Sequence, residues 1–350
     1  MNSQVTAGVL AVALGTMIGV LLFVPFVAIQ YRRHGRLTLR QLVLWSAFLV
    51  YGVALWTYTL LPLPASGDFA CRPAQTTPLS FLFDIRDYPH SSVGALLHNP
   101  AVMQVALNVL LFVPLGFFIR MIWRRGVVVS TLVGFAISLA IECTQGTGVW
   151  GLYPCAYRLF DVDDLLANTA GAFAGGVLSI ALKGRVARLG EAQLDAVGPT
   201  PVTFWRRSVG MLCDALAFWL LAAVAGIVLQ CFRVIVLGRE LSSESGTVEV
   251  VAEIVPLVAF GVLAVVTGRT LGDMAVQITW RGGVRPLQLR GLLRFVGGIG
   301  GWQALAAFTP GLDSLFLLVT IIALIATPRR GGLPGLVSGN AVPVDVRAVR

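Results

Sequence analysis

Apolar stretches of about 20 residues, the length that crosses a bilayer, recur from one end of this chain to the other. Nine are read, at about 6–29, 41–61, 101–121, 126–143, 162–182, 209–231, 249–267, 289–308 and 311–327. Hydrophobic residues make up 57% of the 350 positions and charged ones only 12%, too few to cover a soluble surface of this size. The expected fold class is therefore all-α: a polytopic integral membrane protein with about nine transmembrane helices. The first run does not read as a signal peptide, because Met1–Gly8 carries no Lys or Arg and the basic cluster follows the apolar run.

A formal charge of +9 raises nucleic acid as a partner, but the distribution of that charge excludes it. Arg32, Arg33, Arg36 and Arg40 follow the first run, and Arg120, Arg124 and Arg125 the third. Lys183, Arg185, Arg188, Arg206 and Arg207 follow the fifth, Arg269, Arg281, Arg285 and Arg290 the seventh, and Arg329 and Arg330 the ninth. The alternate connections hold only Arg72 and Arg86, then Arg158, then Arg233 and Arg239. Cationic loops stay in the cytoplasm, so the N-terminus is expected outside and the C-terminus inside, in a bacterial plasma membrane. Membrane lipids are the partners this implies; the sequence points to no protein partner.

The spans fall into two groups. Residues 1–182 hold five, with a long outer connection at 62–100; 183–205 read as a cytoplasmic linker; 206–342 hold four more; 343–350 read as a mobile tail. Cys71 and Cys155 both fall in outer connections, where an oxidising compartment permits a disulfide; two separate thiols are the alternative. No Cys-x-x-Cys spacing occurs, and His34, His90 and His98 build no ligand set.

Polar groups at a bilayer edge are costly and mark function. Between 142 and 168 the chain gathers Glu142, Gln145, Arg158, Asp161, Asp163, Asp164 and Asn168, and Asn108 in the third span reaches the same level. Glu142 and Gln145 share one helix face, and the carboxylates at 161–164 suit a helix N-terminus. Glu142, Asp161, Asp163 and Asp164 are the candidates for acid–base catalysis or substrate binding, with Asn108, Gln145, Arg158 and Asn168 as further binding groups. Such acids repel one another unless Arg158 and a proton or divalent cation offset them, and carboxylate oxygens suit Mg²⁺ or Ca²⁺. The residues alone leave three readings open. The cluster caps a helix, with Glu142 bonded to Asn108 or Gln145; or it handles a lipid or glycan; or it relays ions.

Asn108-Val-Leu-Leu-Phe-Val-Pro-Leu-Gly116, Glu142-x-x-Gln145 and Arg158-x-x-Asp161-x-Asp163-Asp164-x-x-x-Asn168-Thr169-x-Gly171 resemble the VanZ-like family over roughly residues 40–182. The resemblance implies a setting at the bacterial cell envelope, linked to resistance to a glycopeptide antibiotic; a lipid-linked envelope precursor is the partner that the lipid- or glycan-handling reading would take. It implies no defined reaction.

In the second half, Arg207 and Asp214 lie seven apart on one face of the sixth span and read as a structural ion pair. Met274–Trp280 alternates like a short strand. Arg207, Asp214, Gly268-x-Thr270-x-Gly272 and Leu292-Leu293-Arg294 are similar to the RDD family over roughly 204–342. The departure comes at Arg329-Arg330-Gly331-Gly332, where members of that family carry His-Asp after the arginines.

Overall fold

The structure is a computed structural model that describes residues 3–60, 70–123, 125–156, 158–181, 198–238, 246–309 and 311–349. Most of the linker read at 183–205 lies outside them. Helices dominate: α1 (Ser3–His34), α2 (Leu39–Leu60), α3 (Pro100–Trp123), α4 (Val127–Gly146), α5 (Val162–Ala181), α6 (Phe204–Ile235) and α7 (Gly246–Thr267) are the long ones. Among the described residues these seven are long and apolar enough to cross a membrane. The protein is an all-α, polytopic membrane protein. The chain divides into two compact units: Met1–Gly19 with Leu39–Ala192, and Val20–Thr38 with Gln193–Arg350.

In the first unit, α3, α4 and α5 approach closely because small residues face one another. A Cβ added to Gly175 would lie 1.9 Å from the Val113 carbonyl oxygen, and one on Gly171 2.2 Å from that of Val109. Gly116 returns the contact against the Ala172 backbone, and Gly134 of α4 meets the Ala172 methyl. Such approach is how membrane helices gain packing energy without a hydrophobic driving force. Leu55, Phe112, Leu115, Ile119 and Ile141 fill the core beside this seam. In the turn before Pro114, the Tyr51 hydroxyl donates to the Leu111 carbonyl at 2.6 Å.

The second unit departs from the expected spans. The run at 289–308 is not one helix but two, α9 (Leu287–Val296) and α10 (Ile299–Phe308), with α8 (Leu271–Ala275) preceding them. The break falls at Gly297-Gly298, where Gly298 leaves helical geometry at φ −130°, ψ −129°. Glycine holds no helix against such a turn. The last run forms α11 (Leu312–Ala326), whose 15 residues reach only about 22 Å. A short helix, α12 (Gly332–Val337), follows.

The expected mobile tail is ordered. Val342–Asp345 forms β2, antiparallel to β1 (Ile278–Arg281), with Ile278 opposite Asp345 and Trp280 opposite Pro343. One buried arginine explains the order. Arg206 bonds Asp345 at 2.9 Å and the carbonyls of Val276 and Gln277 at 2.9 Å each, so the end of the chain is tied to α6. Val27, Tyr31, Val209, Val276, Ile278 and Trp280 form the core around this anchor.

Arg207 pairs not with Asp214 but with Asp273, at 2.9 Å. Seven residues of helix span about 10 Å, too far for a direct contact along α6. Asp214 instead accepts from the Thr270 hydroxyl at 2.7 Å and the Gly272 amide at 2.6 Å. Asp273 also accepts from Arg294 and from the Trp280 indole at 3.0 Å, and Trp280 lies under both guanidiniums. Burial raises the cost of ionising Asp273, but Arg294 and Arg207 outweigh it and hold the carboxyl below its ordinary value.

Candidate functional site

The acidic residues of the first unit meet where α4 ends and α5 begins. Asp161 precedes α5, and its Oδ1 accepts the Asp163 amide at 2.8 Å, satisfying a donor that the helix start leaves open. The Asp161 amide in turn donates to Glu142 Oε2 at 2.9 Å, stapling the end of α4 to the start of α5. Glu142 is buried. Its partner is thus a backbone amide, neither Asn108 nor Gln145. Gln145, a turn closer to the end of α4, donates to the Thr59 carbonyl at 2.6 Å, and Arg158 donates to the same oxygen at 2.9 Å. One carbonyl at the end of α2 therefore collects two of the expected binding groups.

Asp163 and Asp164 are neighbours in sequence with different tasks. Asp163 turns to the outer connection, where its oxygens accept the Leu79 and Phe81 amides and the Ser80 hydroxyl, the last two at 2.9 Å. Both its oxygens are committed to holding that loop. Asp164 faces α3, where its Oδ1 accepts the carboxamides of Asn108 and, at 3.2 Å, Gln104. Asp164 and Asn108 are half-buried and Gln104 is exposed, so this pair of carboxamides frames an open carboxylate. Gln104 was not singled out in the sequence, although its place one turn before Asn108 on the same helix face would have found it. Deeper in α5, Asn168 donates to the Ser138 hydroxyl at 2.9 Å, and its Oδ1 has no hydrogen-bond partner.

The loop over this mouth is fastened three times. A disulfide joins Cys71 to Cys155. A parallel bridge pairs Gln75 with Asp161, through Gln75 donating to the Phe160 carbonyl at 2.8 Å and Val162 to the Gln75 carbonyl at 3.1 Å. The Asp163 clamp is the third. Beside it, residues 148–151 run through left-handed backbone, including Val149 at φ 57° and Trp150 at φ 56°, a conformation that a β-branched residue adopts only under constraint. That corner leaves Trp150 and Leu152 each 70% exposed.

Burial pushes the Asp161 carboxyl above its ordinary value, and the charges of Asp163 and Asp84 add to the shift. Of the two ways to offset the acids, a proton or a divalent cation, the second has no ligand set: among the described residues no three His, Cys, Asp or Glu side chains are placed to hold a metal ion. The carboxylates are instead spread over separate protein donors.

Residues 48–183 match the VanZ/LLP1 family model. No curated protein matches the chain, and no solved structure does. The matched span runs from the middle of α2 through α5 and contains every residue of the acidic mouth. The molecule is a multi-pass membrane protein with a VanZ-like region at residues 48–183.

Proposed function

We propose that the protein acts at the outer leaflet of a bacterial plasma membrane, on a lipid-linked or glycan group of the cell envelope, and that this underlies protection against glycopeptide-type agents. The observation that carries this reading is Asp164. It is a half-buried carboxylate framed by two neutral carboxamides at a helix start, beside a loop fixed by Asp163 and the disulfide. Carboxylate oxygens held by neutral donors keep lone pairs that can accept hydrogen bonds from sugar hydroxyls. Glu142 and Asp161 supply a second acidic edge suited to proton exchange, with Asn108 and Asn168 as binding groups. Exposed Trp150 and Leu152 suit the boundary between lipid and water.

The alternation of basic loops supports an N-terminus outside and a C-terminus in the cytoplasm. The Cys71–Cys155 bridge supports the same side for the mouth, because disulfides persist in oxidising compartments. Residues 206–342 serve, in this reading, as a fused RDD-like scaffold whose Arg207, Arg294 and Asp273 fix helix packing.

A second reading, a non-catalytic adaptor, is favoured by the commitment of both Asp163 oxygens to the loop. One experiment separates the two. Envelope precursors and lipids are profiled in a deletion strain complemented with wild type, Glu142→Gln or Asp164→Asn. Both substitutions keep an oxygen for the existing hydrogen bonds, so protein abundance holds while the profile shifts towards that of the deletion. Wild-type profiles from both variants would leave only the adaptor.

A further inference from the structure

The second unit contains a cavity of about 210 Å³ between α6, α10 and α11. Its polar end is made by Arg207, Asp214, Thr270, Asp273 and Arg294. The acids there are already served: Asp273 accepts from Arg207, Arg294 and Trp280, and Asp214 from Thr270 and Gly272. The donors are not. Arg207 Nε, Arg294 Nε, Trp302 Nε1 and the Thr320 hydroxyl are buried without a hydrogen-bond partner, and all four residues line this cavity. Arg207, Arg294 and Thr320 are each only 4% exposed. Guanidinium and indole nitrogens donate and never accept, so what completes them must bring acceptor atoms. Two of the four belong to cations, which favours an acceptor carrying negative charge. The rest of the wall is apolar, and Leu212 and Leu317, at 47% and 41% exposure, carry it out to the helix surface.

We propose that this cavity binds a phosphate-type oxyanion, free or as the headgroup of a membrane lipid whose chain leaves over Leu212 and Leu317. Nothing in the acidic mouth of the other unit is needed for it. Unmade donors in a buried site are costly until an acceptor arrives, so the site is built for occupancy.

The test uses the full chain in detergent, with thermal unfolding followed against added phosphatidylglycerol, diacylglycerol and inorganic phosphate. Phosphatidylglycerol, inorganic phosphate or both raise the melting temperature, and diacylglycerol, which lacks the phosphate, does not. A response to inorganic phosphate assigns the free ion; a response to phosphatidylglycerol alone assigns the lipid. Thr320→Val with Trp302→Phe removes two orphan donors without changing charge. This variant unfolds no earlier than wild type in the absence of ligand, yet needs at least tenfold more ligand for the same shift. Thr320→Ser keeps the hydroxyl and binds as wild type. If the double variant does not accumulate, Thr320→Val alone makes the comparison. The proposal is overturned if neither phosphate source shifts the protein, if diacylglycerol acts equally, or if the Val variant responds like wild type.

Discussion

The two units hold most of their carboxylates with different kinds of partner. In the second, Asp273 and Asp345 are met by guanidiniums, from Arg207 and Arg294 and from Arg206, while Asp214 is met by a hydroxyl and an amide. In the first, Glu142, Asp161, Asp163 and Asp164 are met by amides, carboxamides and a hydroxyl. A buried ion pair costs much to break because it strands the partner charge. Removing a carboxylate held by neutral donors strands no partner charge. The contrast separates carboxylates locked to guanidiniums in one unit from carboxylates held by neutral donors in the other.

The comparison breaks first, and with the largest effect, at Asp273. Asp273→Asn leaves Arg207 and Arg294 buried without a counter-charge, a loss of about 3–5 kcal/mol, seen as collapse of membrane accumulation and an early melt in detergent. Because the folded carboxyl sits below its ordinary value, its contribution is complete above about pH 3.8 and is lost only as acid protonates it below that. A wild-type melt for this variant at neutral pH would erase the distinction between the units. The next effect is smaller: replacing Cys71 with Ser opens the loop over the acidic mouth and costs about 2–4 kcal/mol. Mapping under non-reducing conditions checks the bridge directly, and two free thiols in membrane-extracted protein would remove it.

The smallest effect sharpens the contrast most. Burial raises the Asp161 carboxyl above its ordinary value, so its neutral form is the one the fold favours. The stability linked to this group is present below the ordinary carboxylate value and is lost as pH rises through the raised one. Asp161→Asn is neutral throughout and keeps the oxygen that accepts the Asp163 amide. Its melting temperature at pH 7 therefore equals or slightly exceeds that of wild type, while envelope function falls. A lower melting temperature would place Asp161 with Asp273, as a charge the fold depends on.

Hydrophobic run length made the membrane architecture legible. Periodicity is blind to what lies far along the chain. Arg206 reaches Asp345 across 139 positions, so the tail looked mobile when its alternating Val342-Pro343-Val344 is a strand waiting for β1. The first apolar run read as part of the N-terminal group, yet Val27 and Tyr31 pack with Val209 and Trp280. The acidic residues meet between α4 and α5, but with partners that their spacing does not give. Side-chain reach across loops chose Thr59, Ser80 and the Asp161 amide as partners, and no spacing rule encodes those choices.

The glycine seam between α3 and α5 also governs how the protein meets bilayers of different thickness. A span longer than the local hydrocarbon adjusts by tilting, and its tilt is set by packing against its neighbours. Here Gly116, Gly171 and Gly175 seat backbone on backbone, and with 24 and 20 residues the two helices are about 36 and 30 Å long. They must tilt together, as one strut. A thicker membrane therefore draws Asp164, Asn108 and Gln104 towards the hydrocarbon as a set, with their geometry intact, and a thinner one lifts them into water. Lipid composition becomes a dial on the immersion depth of the acidic mouth.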